Sequence, residues 1–155
     1  MRQIHISKNW SVVIFIYYSI LFLASSILLI CYFSRQEFND KDIYLYSCIS
    51  GLLGSSIFYT RKLYKDCFTE DKISQEEDVL KRIATIVYFI TRPFFCAAFS
   101  IMITIGLKAG FIIISTSDNE INMDNFIYVS VFLSFIGGFR VGKLIIRFEN
   151  FELIK

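Results

Sequence analysis

The sequence predicts an all-α integral membrane protein with four transmembrane helices arranged as two hairpins and both termini in the cytoplasm. Four long apolar runs, Trp10 to Phe33, Ile43 to Thr60, Ile83 to Ser115 and Phe126 to Ile146, contain none of the fourteen Asp and Glu residues. The chain is 155 residues and 55% hydrophobic, and its longest polar stretch, Arg61 to Arg82, is 22 residues, too short for a soluble domain. Lys and Arg outside the runs are divided very unequally between the two sides that four spans define. Spanning segments are expected to be helical because an open sheet edge cannot satisfy its backbone groups in lipid.

The first run supplies 24 residues without a charge. A hydrocarbon core about 30 Å thick needs about 20 helical residues, so this run spans with some tilt. Arg2, Lys8 and Ala24-Ser25-Ser26 superficially resemble a signal peptide. The apolar run continues through Ile27 to Phe33, beyond any cleavage site, and reads as a retained span. Rich in Phe, Ile and Leu and poor in small residues, it is expected at the periphery, facing lipid.

A short polar turn, Ser34 to Asp42, leads into the second span, about 43–60. The cytoplasmic loop, 61–85, starts basic at Arg61, Lys62 and Lys65, turns acidic, and ends basic at Lys81-Arg82. Ser74-Gln75-Glu76-Glu77 fits a capping box, so a helix is predicted to start at Gln75. Val79, Leu80, Ile83, Ile86 and Val87 share one face of it, predicting a short amphipathic helix on the cytoplasmic surface before the third span. The third run is 33 residues, about 50 Å as a helix and too long for one perpendicular span. Pro93, the only proline, removes the hydrogen bond to the carbonyl of Phe89, which predicts a kink or break near Arg92-Pro93 and a span over about 94–115. After the turn Thr116 to Asn125, the fourth span covers about 126–146. The whole chain, 1–155, is thus one four-helix transmembrane domain.

With four spans, one side collects Arg2, Lys8, Arg61, Lys62, Lys65, Lys72, Lys81, Arg82, Arg140, Lys143, Arg147 and Lys155, and the other only Arg35 and Lys41. Twelve against two places both termini inside by the positive-inside rule, in a bacterial inner membrane.

Small residues recur at four-residue spacing in three spans: Ser47, Gly51 and Ser55; Gly106 and Gly110; Ser134, Gly138 and Gly142. Such stripes let helix backbones approach closely in lipid. The ordinary reading is packing within one bundle; the sharper one is that at least one stripe joins copies into a homo-oligomer. Lys108 is the single charge deep in a span and points about 160° away from the Gly106–Gly110 face. It either snorkels to the interface or lines a pore, where a ring of lysines favours anions. Arg92 is expected at the inner interface. Arg140, Lys143 and Arg147 form a basic stripe that, with Arg61, Lys62 and Lys65, rings the cytoplasmic mouth. It suits anionic headgroups or an acidic cytosolic partner. Trp10, Tyr32, Tyr44, Tyr59 and Tyr64 read as an aromatic belt at the interfaces.

Of the four cysteines, Cys31 and Cys48 sit in the outer part of the first hairpin, and free thiols are favoured over a bridge. No Cys/His cluster predicts a metal, no cofactor is expected, and the only histidine is His5. No Ser/His/Asp grouping, HExxH or glycine-rich phosphate loop is present, so no enzyme is expected. Four-span multidrug exporters are similar in size but use an intramembrane carboxylate that this chain lacks. Two functions fit. One is a small oligomeric pore-forming or permeabilising effector, gated or recruited from the cytoplasmic side. The other is a membrane anchor that recruits a cytosolic protein through its basic loop; direct nucleic-acid binding is not expected. In size and topology alone the chain is similar to membrane subunits of bacterial immunity and toxin systems, which implies an antiviral-defence effector.

Overall fold

A computed structural model describes residues 8–34, 42–65, 79–114 and 123–152, with side chains over 9–34, 42–65, 79–80, 82–110 and 126–140. It is all-helical: α1 (Lys8–Phe33), α2 (Asp42–Leu63), α3 (Val79–Ile114) and α4 (Met123–Glu152). Three stretches are long and apolar enough to cross a membrane, Asn9–Phe33, Asp42–Leu63 and Arg82–Gly110. In α4 the apolar stretch with described side chains, Phe126–Arg140, is shorter than a span.

The central element is α2, which packs against each of the other three helices, while α3 and α4 also pack on each other. Side-chain pairs fix the directions. Tyr18 of α1 stacks on Tyr59 of α2, and Tyr32 meets Tyr46, so α1 and α2 run antiparallel. Ser50 donates to the Val131 carbonyl at 2.7 Å while Gly54 lies against Phe135 and Phe139, so α2 and α4 run parallel. Cys96 pairs with Gly138 and Ser100 with Ser134, so α3 and α4 are antiparallel.

The peripheral place expected for α1 is what the structure shows. Its buried side chains, Ser11, Ile14, Tyr18 and Ser25, form one narrow stripe with heptad-like steps. Around that stripe Val13, Ile16, Ile20, Leu23, Ile27 and Ile30 are all exposed. Polarity across the fold is inverted relative to a water-soluble bundle. Buried positions include ten Ser and Thr, among them Ser47, Ser55, Ser100, Thr104 and Ser134, while Phe94, Phe95, Met102 and Phe132 face outward. An apolar exterior this extensive exceeds what water-soluble monomers expose.

One sequence expectation is corrected. Among the described residues the expected surface helix is not separate: from Val79 onward that segment is the first part of α3, and α3 runs through Pro93 without a break. The part of α3 long and apolar enough to cross a membrane is Arg82–Gly110, which takes in the residues before Pro93 as well as those after it. The physical reason is on α1. Pro93 leaves the Phe89 carbonyl without its helical donor, and the Tyr18 hydroxyl donates to that carbonyl at 2.5 Å. The freed acceptor is satisfied from the neighbouring helix, so the chain need not bend away to find water. The predicted helix start at Gln75 and its capping box, and the two polar turns beyond Ser34 and before Met123, lie outside the described residues.

Candidate functional site

At the centre of the bundle three helices meet almost backbone to backbone. A side chain at Gly138 would place its Cβ 2.9 Å from the Gly51 Cα, and one at Gly51 would press on Ser100. Gly54 is closed in by the backbone of Phe135 and Phe139. Ser47, Ser55 and Ser134 are buried around this contact. The small residues foreseen on α2 and α4 thus face each other, as close packing in lipid requires. Gly142 lies in α4 beyond the described side chains.

The matching stripe on α3 is different from the one its glycines suggest. Cys96, Ser100 and Thr104, one turn apart, are buried against α2 and α4. The Cys96 Sγ donates to the Gly138 carbonyl at 3.6 Å, and Ser100 and Ser134 each reach the other's carbonyl at 3.4 Å. Ser100 and Thr104 also bond back to Cys96 and Ser100 carbonyls in their own helix, which leaves no hydroxyl in this row unsatisfied. Gly106 and Gly110 take no part: among the described residues a Cβ at either position meets no atom within 4 Å.

Gly106 is exposed, with Met102 and Ile105 exposed beside it, while Lys108 is half-buried. The side of α3 that carries Gly106 is therefore an outer one, while Gly110, like Lys108, is half-buried. Lys108 is also nearer the helix ends than the midplane. Its neighbour Leu107 packs on the cluster of Ile43, Phe126 and Ile127, which belongs to the first turns of α2 and α4. A lysine stem there has only a short distance to cover to the end of the bundle.

At the opposite end, a second cluster joins Ile14, Tyr18, Tyr59, Leu63 and Phe89. Tyr59 is an interior residue, 1% exposed and edge-on to Phe89 at 6.1 Å, rather than part of an interfacial belt. Its level in α2 matches Phe89 in α3, which puts Arg92 about 4.5 Å deeper into the bundle. Arg92 lies over the Tyr88 ring at 4.1 Å and is half-buried, and its Nη1 is buried without a hydrogen-bond acceptor. Cation–π contact is its main compensation. Beyond this cluster Arg61, Lys65 and Arg140 are exposed and Lys62 half-buried; because α2 and α4 are parallel, all four gather toward the same end. The side chains of Lys143 and Arg147 lie outside the described residues.

Among the described residues there is no group of His, Cys, Asp and Glu able to hold a metal ion, and Cys31, Cys48 and Cys96 are free. Three features were not singled out from the sequence: the Cys96–Ser100–Thr104 row, the Tyr18 bond to Phe89, and the contact at Gly54. The first has a sequence signal, a four-residue repeat of small polar side chains; the second links residues 71 apart and has none. Compared with protein-family models, curated proteins and solved structures, the chain matches none.

Proposed function

We propose that this chain is a bilayer-spanning subunit, with both termini cytoplasmic, whose copies associate through the outer half of α3 and permeabilise the membrane when assembled. The observation that carries the proposal is the open glycine face of Gly106 and Gly110 on an otherwise apolar, outward surface. A glycine inside a helix costs about 1 kcal/mol relative to alanine. At Gly51 and Gly138 that cost is offset by close packing, whereas at Gly106 and Gly110 no contact among the described residues offsets it. A neighbouring helix from a second copy does so, by the same backbone approach. The central seam is closed by backbone contact at Gly51 and Gly138, so permeation has to run between copies rather than along that seam. Lys108, near the outer ends, then biases the assembly toward anions. The size and layout fit an effector of the bacterial immunity or toxin kind.

The test is the mass of the complex in nanodiscs together with anion and cation flux from liposomes. A defined higher oligomer with flux, both lost in Gly106→Leu while helicity is kept, is the expected result. A silent monomer overturns the proposal. A second reading, a membrane anchor for an acidic cytosolic protein, is supported by the exposure of Arg61, Lys65 and Arg140 at one end. It predicts that charge reversal at Arg61, Lys62 and Lys65 abolishes recruitment and leaves oligomer mass unchanged.

A further inference from the structure

Outside the central seam, α1 and α2 together line a cavity of about 600 Å³ open to the surroundings. It runs along two turns of each helix, from Phe15 to Leu23 on α1 and from Ile57 to Tyr64 on α2. That is about 10–12 Å of length at 1.5 Å per residue. Its walls are apolar, chiefly Phe15, Phe22, Leu23 and Ile57, and its polar groups are few. The Ser19 hydroxyl is already committed to the Phe15 carbonyl at 2.9 Å. Thr60 and Arg61 lie together at the end where α2 leaves its apolar stretch. The Thr60 Oγ1 is buried without a hydrogen-bond partner, and Arg61 is exposed.

We infer that this cavity is a binding site for one anionic phospholipid, its acyl chain between α1 and α2 and its phosphate held by Arg61 and Thr60. Three features select that occupant. The cavity extends only two turns along each helix, a length and width that suit a slim alkyl chain. The cation stands at one end of the apolar length, the arrangement of a lipid's own charge and tail. Arginine's planar fork suits a phosphate, and the orphan threonine hydroxyl supplies a donor whose burial otherwise costs free energy. The inference rests on the bilayer-spanning part of the proposed function, with α2 ending on the headgroup side, and needs neither oligomer nor pore.

The experiment uses the full chain, reconstituted with equal phosphatidylglycerol and phosphatidylcholine of matched chains, then extracted in mild detergent for native mass spectrometry of retained lipid. Flotation of the same vesicles reports membrane association separately. The expected result is one phosphatidylglycerol retained per chain, reduced about five-fold in Arg61→Gln, the scale of one basic side chain acting on an anionic headgroup. Thr60→Val also lowers retention, Leu23→Trp, which fills the cavity, removes it for both lipids, and Arg82→Gln, a surface cation outside the cavity, leaves it unchanged. Because Arg61→Gln alters an exposed side chain, it keeps the fold testable if Leu23→Trp does not assemble. Floating protein that retains the two lipids equally, or that loses phosphatidylglycerol equally in Arg82→Gln and Arg61→Gln, overturns the site alone. Protein that fails to float overturns the membrane reading and the site with it.

Discussion

Removing the Tyr18 hydroxyl should destabilise the bundle only as long as Pro93 is present. In the native chain the Phe89 carbonyl has no amide donor from position 93, and the Tyr18 hydroxyl is the donor that reaches it, at 2.5 Å. Tyr18→Phe keeps the ring, and with it the stacking on Tyr59 at 5.5 Å, so the perturbation is confined to one hydrogen bond. Side-chain hydrogen bonds between membrane helices average about 0.6 kcal/mol and reach about 1.7. Where removal of the donor leaves a buried carbonyl unsatisfied, the cost is about 1–3 kcal/mol in all. Since Tyr18 is fully buried and Phe89 is 2% exposed, water does not reach the acceptor, and a total of about 1–2 kcal/mol is expected. In a Pro93→Ala background the amide of residue 93 restores the helical bond to the same carbonyl. Tyr18→Phe then deletes a second, redundant donor and should cost no more than about 0.5 kcal/mol. The coupling energy of the cycle is therefore about 1 kcal/mol, roughly a five-fold shift in the folding equilibrium. Reversible unfolding by SDS titration of mixed micelles, followed by far-UV circular dichroism, measures all four corners of the cycle. An equal cost of Tyr18→Phe in both backgrounds would refute the claim that this bond replaces the one Pro93 removes.

Glycine substitutions should separate the interior seam from the outer face. In the same titration Gly138→Ala, which drives a methyl into the Gly51 backbone, should destabilise by about 1–3 kcal/mol. Gly106→Ala meets nothing within 4 Å and should stabilise the monomer by up to about 1 kcal/mol while weakening assembly in nanodiscs. Lys108→Leu should lower the anion preference of liposome flux without changing oligomer mass; unchanged selectivity would remove Lys108 from the pathway. Orientation is read from Cys31, which is exposed at the far end of α1. A membrane-impermeant maleimide should label it from outside intact cells, and labelling only after lysis would invert the proposed topology.

The parts of this fold that were legible in the sequence are those written in composition over a whole turn or more. Uncharged runs of sufficient length announce helices, and the poverty of small residues in α1 announces its outer place, because close approach in lipid needs small side chains. The facing of Gly51 and Gly138 follows from the same rule. On α3 the row packed inside the bundle is Cys96, Ser100 and Thr104, a different face from that of Gly106. Cys96, Ser100 and Thr104 are small enough to pack there and, unlike glycine, each also makes hydrogen bonds, within α3 or to α4. Pro93 shows a different limit. The loss of the Phe89 bond is a local fact and was read correctly, but whether it breaks the helix depends on a hydroxyl in another helix, which no window of sequence around residue 93 contains. Tyr59 was misplaced for a related reason: a tyrosine at a helix end suits an interface or an interior equally, and stacking on Tyr18 decides between them.

On the proposed bilayer-spanning reading, the glycines divide one residue type between two tasks. Helices in a bilayer gain little from burying apolar side chains, so a tight bundle must be built from contacts that lipid tails cannot imitate. Here that is done once, along a seam where Gly51, Gly54 and Gly138 meet backbone and the Ser, Thr and Cys rows lie against it. With the seam complete, further bare backbone inside the same bundle adds no stability. Gly106 and Gly110 lie on the far side of α3 from it, at a level where Leu107 already closes the α2–α4 end. Their position gives the assembly proposal its physical content. Filling Gly106 should cost a lone copy nothing, and if it also costs the oligomer nothing, the outer face of α3 is ordinary lipid-facing surface and the assembly must be sought elsewhere.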